Sequence, residues 1–310
     1  MQFAHITHLG DFDWMRQVRV KKGSEVKHTD YGVVDDDNVQ VYSGRILGAP
    51  EGRLQEMKGA LCLIPNDRLY PRFCEQFRIA PCALFNNADK YFMKRPWLTR
   101  IWDQKPSDTP NAISLGLREE IETLEDLSQH PHPGLVRYHG CVVQKGWVLG
   151  LILDRYKYDL HQYLKVQERL INTSASNAPA GRLGGINVEV FMAALEEALR
   201  FLHSLGYAHN DLKPQNIMVD EARGCMPVLI DFGSCKPTGK SLGHSGSTEY
   251  WTPKSLQKEW KSDVKKDVYA LGMLWNMFDT IREKDRMDGA VRRAGRAPAL
   301  ALEPRRQGLL

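Results

Sequence analysis

The spacing of apolar residues changes along the chain. Up to about residue 102 they come in short runs. Residues 18–20 and 39–42 have strand character, separated by turn-rich stretches such as Gly23-Ser24 and Asp35-Asp36-Asp37-Asn38. Residues 60–65 and 81–85 are apolar, Asn86-Asn87-Ala88-Asp89 is a turn signal, and residues 91–94 read as a returning strand that ends on Lys94. This predicts a hairpin. From 111 to 129 the period becomes 3.6: Leu117, Ile121, Leu124 and Leu127 fall on one face with acids between them, which predicts a helix. His130-Pro131 and His132-Pro133 stop it, because the residue before a proline is pushed out of the helical region. Strands follow over 135–143 and 147–153, then a short helix over 159–170 and a Ser/Asn/Ala/Gly-rich loop over 172–185. Asn187 fits the N-cap of a long helix to Leu205, which Gly206 ends. A last helix is predicted over 267–280. A strand-rich half before a helix-rich half makes an α+β protein of two lobes.

Composition changes this picture little. The 42% hydrophobic and 26% charged content is that of a globular protein, and no apolar run reaches the ~20 residues that span a bilayer. No basic-then-apolar leader opens the sequence. The six cysteines form no C-x-x-C pair, so reduced thiols in a cytoplasmic or nuclear protein are expected. The net charge of +4 is local. Residues 281–310 carry eight basic and four acidic side chains, which accounts for all of it. A basic tail, expected to be disordered, argues against a nucleic-acid partner for the folded part.

The chemistry is concentrated in His209-Asn210-Asp211-Leu212-Lys213-Pro214-Gln215-Asn216 and in Asp231-Phe232-Gly233, which follows an apolar strand. Phosphoryl transfer needs such a set: an aspartate to accept the proton of the attacking hydroxyl, a lysine to offset phosphoryl charge, and an asparagine with a second aspartate to hold magnesium. His130 and His132 read as structural, since no further ligand joins them.

These motifs resemble the eukaryotic protein kinases. The resemblance extends over roughly residues 60–280 and implies a two-lobed kinase-like fold, with 60–155 as the N-lobe, 156–280 as a C-lobe shortened after its central buried helix, 1–59 as a divergent strand-containing region and 281–310 as the tail. It implies Asp211 as catalytic base and Lys213 beside the γ-phosphate. Asn216 and Asp231 would hold Mg2+, and Lys94 would meet the α/β-phosphates of ATP, paired with Glu120. Asp154 and Tyr156, in Leu153-Asp154-Arg155-Tyr156, would form the hinge that holds adenine. Gly246, Ser247, Thr248, Glu249, Tyr250, Trp251, Thr252 and Pro253 resemble the end of an activation segment, and Asp267 the aspartate that braces the catalytic loop. Leu63-Ile64-Pro65, Leu69-Tyr70-Pro71 and Arg137-Tyr138-His139-Gly140-Cys141 are similar to small divergent kinase-like proteins of filamentous fungi. The implied function is transfer of the ATP γ-phosphate to serine or threonine of a protein substrate, with no membrane partner.

Three departures qualify the resemblance. No glycine-rich loop precedes Lys94; Gly48 and Gly52 read as a turn. Asn210 stands where an arginine usually meets a phosphorylated activation segment, so activity is expected to be independent of such a phosphate. Lys254 replaces a glutamate whose usual helical partner is not visible downstream. Two other readings therefore stay open: a pseudokinase acting as a nucleotide- or partner-binding scaffold, and a small-molecule kinase of related fold.

Overall fold

The computed structural model describes residues 3–20, 25–35, 37, 39–85, 87–103, 110–173, 182–242, 251–252, 255–256 and 261–294. Strands β1 (Trp14–Arg19), β2 (Val26–Val34), β3 (Val41–Leu47) and, after helix α1 (Leu54–Gly59), β4 (Cys62–Ile64) form an antiparallel sheet in that order. The sequence signalled only two strands before residue 59. Strand β2 escapes a hydrophobicity reading because Thr29 and Asp30 are fully buried within it. Arg16 Nη2 (2.7 Å) and Arg45 Nε (2.5 Å) pair with the Asp30 carboxylate, which offsets the cost of burying the charge. Strand β4 lies beyond residue 59 yet belongs to this sheet, so the sheet runs across the expected boundary between the N-terminal region and the N-lobe.

After the short helix α2 (Asn66–Leu69), strand β5 (Tyr91–Lys94) begins a second sheet. The hairpin expected over 81–94 does not form. Pro81 supplies no N–H and opens a 3-10 turn at Cys82–Leu84, closed by Leu84 N–H donating to Pro81 O at 3.0 Å. β5 pairs instead with β7 (Trp147–Asp154), which also pairs with β6 (Tyr138–Gln144), giving the order β5-β7-β6. Gly150 permits that approach: a Cβ there would stand 2.4 Å from Lys94 O.

Between β5 and β6 runs α3 (Ala112–Ser128), with Leu117, Ile121, Leu124 and Leu127 buried as the periodicity predicts. Ile113, at its start, packs with Met93 against a cluster of Val39, Val41, Ile64, Leu69, Tyr70, Ile101 and Leu149. The first sheet therefore supports both the strand that carries Lys94 and the foot of the helix that carries Glu120. Arg16 strengthens the link, with Nη1 and Nη2 donating to the Asp103 carboxylate at 2.6 and 2.7 Å.

The helical part comprises α4 (Leu160–Thr173), the small ladder β8 (Arg182–Leu183) with β9 (Ile186–Asn187), α5 (Val188–Ser204), β10 (Tyr207–Ala208), β11 (Ile217–Asp220), β12 (Met226–Leu229), β13 (Lys236–Pro237) and α6 (Val264–Ala294). Asn187 caps α5 as predicted, its side chain accepting from Val190 N–H, and Gly206 follows with φ +84°. The last helix was expected to end near Thr280. Instead α6 continues to Ala294, since no proline interrupts the Arg-rich sequence between them. Arg282 Nη2 ties its far half to Glu189 of α5 at 2.5 Å. One core joins both parts, from Leu117 and Ile121 through Leu195, Leu199 and Leu202 to Leu274 and Phe278. No described helix is long and apolar enough to cross a membrane.

Candidate active site

Strand β5 sends Lys94 into the space between the two sheet-and-helix parts. Its ammonium lies 2.6 Å from Glu120 Oε1 and 2.7 Å from Asp231 Oδ1. Glu120 Oε1 also accepts from Phe232 N–H at 3.1 Å. One oxygen thus joins β5, α3 and the turn after β12, a third contact the sequence did not signal. Burial is the largest influence on Lys94 and works against its charge, but Glu120 and Asp231 together hold its pKa above the ordinary value. Burial likewise dominates at Glu120 and pushes it up against the pull of Lys94. At Asp231 burial opposes ionisation, yet Lys94 prevails and the carboxyl sits below its usual range. Lys94 is therefore a fixed cation, and Asp231 a fixed anion.

Asp211, Lys213 and Asn216 converge beside this group, with Ile230 N–H donating to Asn216 O at 3.0 Å. Lys213 Nζ donates to Asp211 Oδ2 at 2.7 Å. Asn216 Nδ2 donates to Asp211 O at 2.8 Å and to Oδ2 at 2.9 Å. Pro214 opens the single 3-10 turn that brings Asn216 back to Asp211. His209 Nδ1 accepts from Asp211 N–H at 3.3 Å, so its Nε2 is the donor to Ile230 O at 3.0 Å. Through this one ring the loop is fastened to the strand that leads into Asp231.

Two residues here have left-handed backbones, Asn210 (φ +61°) and Asp231 (φ +63°). Asparagine and aspartate tolerate this region better than other side chains. Asn210 is 2% exposed and its amide is fully used. Nδ2 donates to Ala208 O (2.8 Å), Ser234 O (3.0 Å) and Ser262 Oγ (3.0 Å), while Oδ1 accepts from Asp263 N–H (3.1 Å). Where the resemblance implied only a missing arginine, the asparagine links the loop, the segment after Gly233 and the start of α6. Asn210→Ala is expected to lower stability by about 1–3 kcal/mol, because buried acceptors lose their donor and the left-handed backbone loses its best residue; urea unfolding measures this.

Other expected residues fall elsewhere. Asp154 N–H donates to Arg137 O at 3.1 Å, and its Oδ1 lies 2.7 Å from His139 Nε2. A cavity of about 700 Å3 reaches Asp154, Tyr156 and Phe232, but none of Lys94, Asp211, Asn216 or Asp231 lines it. The cleft around the charged groups is thus distinct from that cavity. His132 is structural: its Nδ1 accepts from Gly134 N–H at 3.1 Å and its ring stacks on Phe201. Of the segment 246–254, only Trp251 and Thr252 are among the described residues.

The donors present suit a divalent cation bound partly by phosphate. Asn216 spends its NH2 on Asp211, which leaves Oδ1 as an oxygen ligand, and Asp231 is ionised. Among the described residues no three His, Cys, Asp or Glu side chains converge as an all-protein cage. A magnesium-type ion that keeps waters and substrate oxygens needs none.

The protein kinase domain matches residues 101–284; Lys94 lies just before that stretch. The chain is similar to maternal embryonic leucine zipper kinase of Xenopus laevis, 30% identical over 164 residues that make up 51% of this chain and 22% of that protein. It is 28% identical over 164 residues to serine/threonine-protein kinase chk-2 of Caenorhabditis elegans, covering 52% of this chain and 32% of the relative. A dual serine/threonine and tyrosine protein kinase of Homo sapiens is 28% identical over 216 residues, 63% of this chain and 20% of the other. The chain spans about a third or less of the length of these curated relatives. The match over more than half of the sequence, together with the mixed strand and helix architecture, means that the chain belongs to the eukaryotic protein kinase superfamily.

Proposed function

We propose that this chain transfers the γ-phosphate of ATP, as its magnesium complex, to a serine or threonine hydroxyl of a protein substrate. The observation that carries the reading is the Lys94 ammonium fixed between Glu120 and Asp231, next to the Asp211–Lys213–Asn216 group. In this reading Lys94 holds the α/β-phosphates, and Asn216 Oδ1 and Asp231 would hold magnesium. When bound, that ion neutralises phosphate charge. Asp211 accepts the proton of the incoming hydroxyl. Lys213, 2.7 Å from Asp211 Oδ2, orients the base and offers its charge to the transferred phosphoryl group. The lysine two residues after Asp211 favours serine/threonine over tyrosine, as do two relatives, serine/threonine-protein kinase chk-2 and the serine/threonine-protein kinase PkaA of Streptomyces coelicolor.

A scaffold reading rests on one specific feature. The free edge of β5 carries no partner strand among the described residues, so nothing described roofs the phosphates beside Lys94. Lys94→Ala separates the possibilities at the binding step. Losing a charged contact to phosphate is expected to weaken Mg-ATP about ten- to hundredfold in calorimetry. Unchanged affinity would remove Lys94 from the nucleotide site and leave only the scaffold reading.

A further inference from the structure

We propose that α6 is a self-association surface, on which two copies of this chain meet as an antiparallel helix pair that crosses at Gly272. Lys265, Val268, Gly272, Asn276, Asp279 and Glu283 are all exposed. They recur every three or four residues, so they form one stripe along the helix. The opposite face, with Ala270, Leu274 and Phe278, is buried in the main core. A solvent-facing stripe is ordinarily polar throughout, but the middle of this one is not. Val268 is 61% exposed and Tyr269 beside it 40%. Leu271 and Trp275, three and seven residues beyond Val268, are only partly buried and widen the apolar strip.

The charges on the stripe say what covers it. Lys265 lies seven residues before Gly272 and Asp279 seven after it, so a base and an acid stand about 10 Å to either side of the glycine. Turning a second copy end over end about Gly272 sets each Lys265 opposite Asp279 of the second copy. The same rotation lays Val268 against Trp275 of the second copy. A parallel pair would place lysine on lysine. The stripe is therefore complementary to itself in the antiparallel sense, as a two-fold contact requires. Asp279 is open to such a partner: its contact to Arg282 Nη1 is 3.9 Å long, while Arg282 Nη2 is turned to Glu189 at 2.5 Å. Gly272 supplies an independent sign. A Cβ there would meet nothing within 4 Å, so packing within one chain does not call for glycine, and a helix interior disfavours it. At a crossing point the missing side chain lets two helices approach closely.

The contact is one helix of about five turns, smaller than the ~800 Å2 per partner of a standard interface, so a Kd on the order of 10 μM is expected. The test is sedimentation equilibrium of the full chain from about 1 to about 100 μM, which brackets that value. Wild type should dimerise reversibly. Val268→Glu, Gly272→Leu, Lys265→Glu and Asp279→Lys should each weaken the dimer about tenfold or more. An equimolar mixture of Lys265→Glu and Asp279→Lys should regain wild-type affinity, because each new charge then faces its opposite. That recovery needs both variants folded, so it also separates a lost contact from a lost fold. A mixture that stays as weak as its components would overturn the antiparallel pairing. A dimer indifferent to Val268→Glu and Gly272→Leu would overturn the proposal by placing the contact elsewhere. A wild-type chain that is monomeric throughout would overturn it and leave the stripe to a different protein.

Discussion

Asp211→Asn is expected to remove phosphotransfer while leaving the fold and nucleotide affinity in place. The substitution is isosteric, and its amide oxygen can still accept from Lys213 Nζ or Asn216 Nδ2, which now donate to Asp211 Oδ2 at 2.7 and 2.9 Å. What disappears is a carboxylate able to take a proton from the attacking hydroxyl. A positioned general base contributes roughly 10²–10⁴ in rate, so kcat should fall by about that factor. The Kd for ATP should stay close to wild type, since the substitution leaves Lys94, Asn216 and Asp231, the proposed phosphate and metal contacts, in place. A parallel loss of ATP binding would instead place Asp211 in the nucleotide site itself.

Asp267→Ala should be the most damaging single change to stability. The carboxylate is fully buried at the start of α6. Its Oδ2 accepts from His209 N–H at 2.8 Å and pairs with His203 Nε2 at 2.9 Å, and its Oδ1 accepts from Asn210 N–H at 2.8 Å. Alanine strands two buried backbone donors, each costing about 1–3 kcal/mol. Those bonds also hold Asn210 in its left-handed conformation, one residue before Asp211. Activity should therefore fall further than the unfolded fraction explains. Asp267→Asn, which keeps an acceptor for one donor, should be intermediate. Denaturant unfolding and kcat on the residual folded protein check both parts, and an alanine variant as stable as wild type would contradict the role of this bracket.

How much of this was legible in the sequence depended on whether the signal was local. Helices α3 and α5 were readable because a stripe of leucines and a terminal Asn or Gly announce a helix without reference to the rest of the fold. Asp211, Lys213, Asn216 and Asp231 stood out because their spacing within short motifs is fixed by the chemistry. Strand β2 was not readable: its buried Asp30 is made tolerable by Arg16 and Arg45, which come from two other strands. The false hairpin over 81–94 arose because a turn signal says where a chain bends but not which strand it bends toward; β5 found its partner on β7. The fourfold use of the Asn210 amide was hidden too, since Ser234, Ser262 and Asp263 carry no pattern that points to it.

The most direct test of the central claim is incubation of the full chain with γ-labelled ATP and magnesium, with a generic protein substrate and with Asp211→Asn in parallel. The account predicts label on serine or threonine of the wild-type reaction and almost none with Asp211→Asn. Label that persists in Asp211→Asn, or its absence from a wild-type chain that binds Mg-ATP, would contradict it.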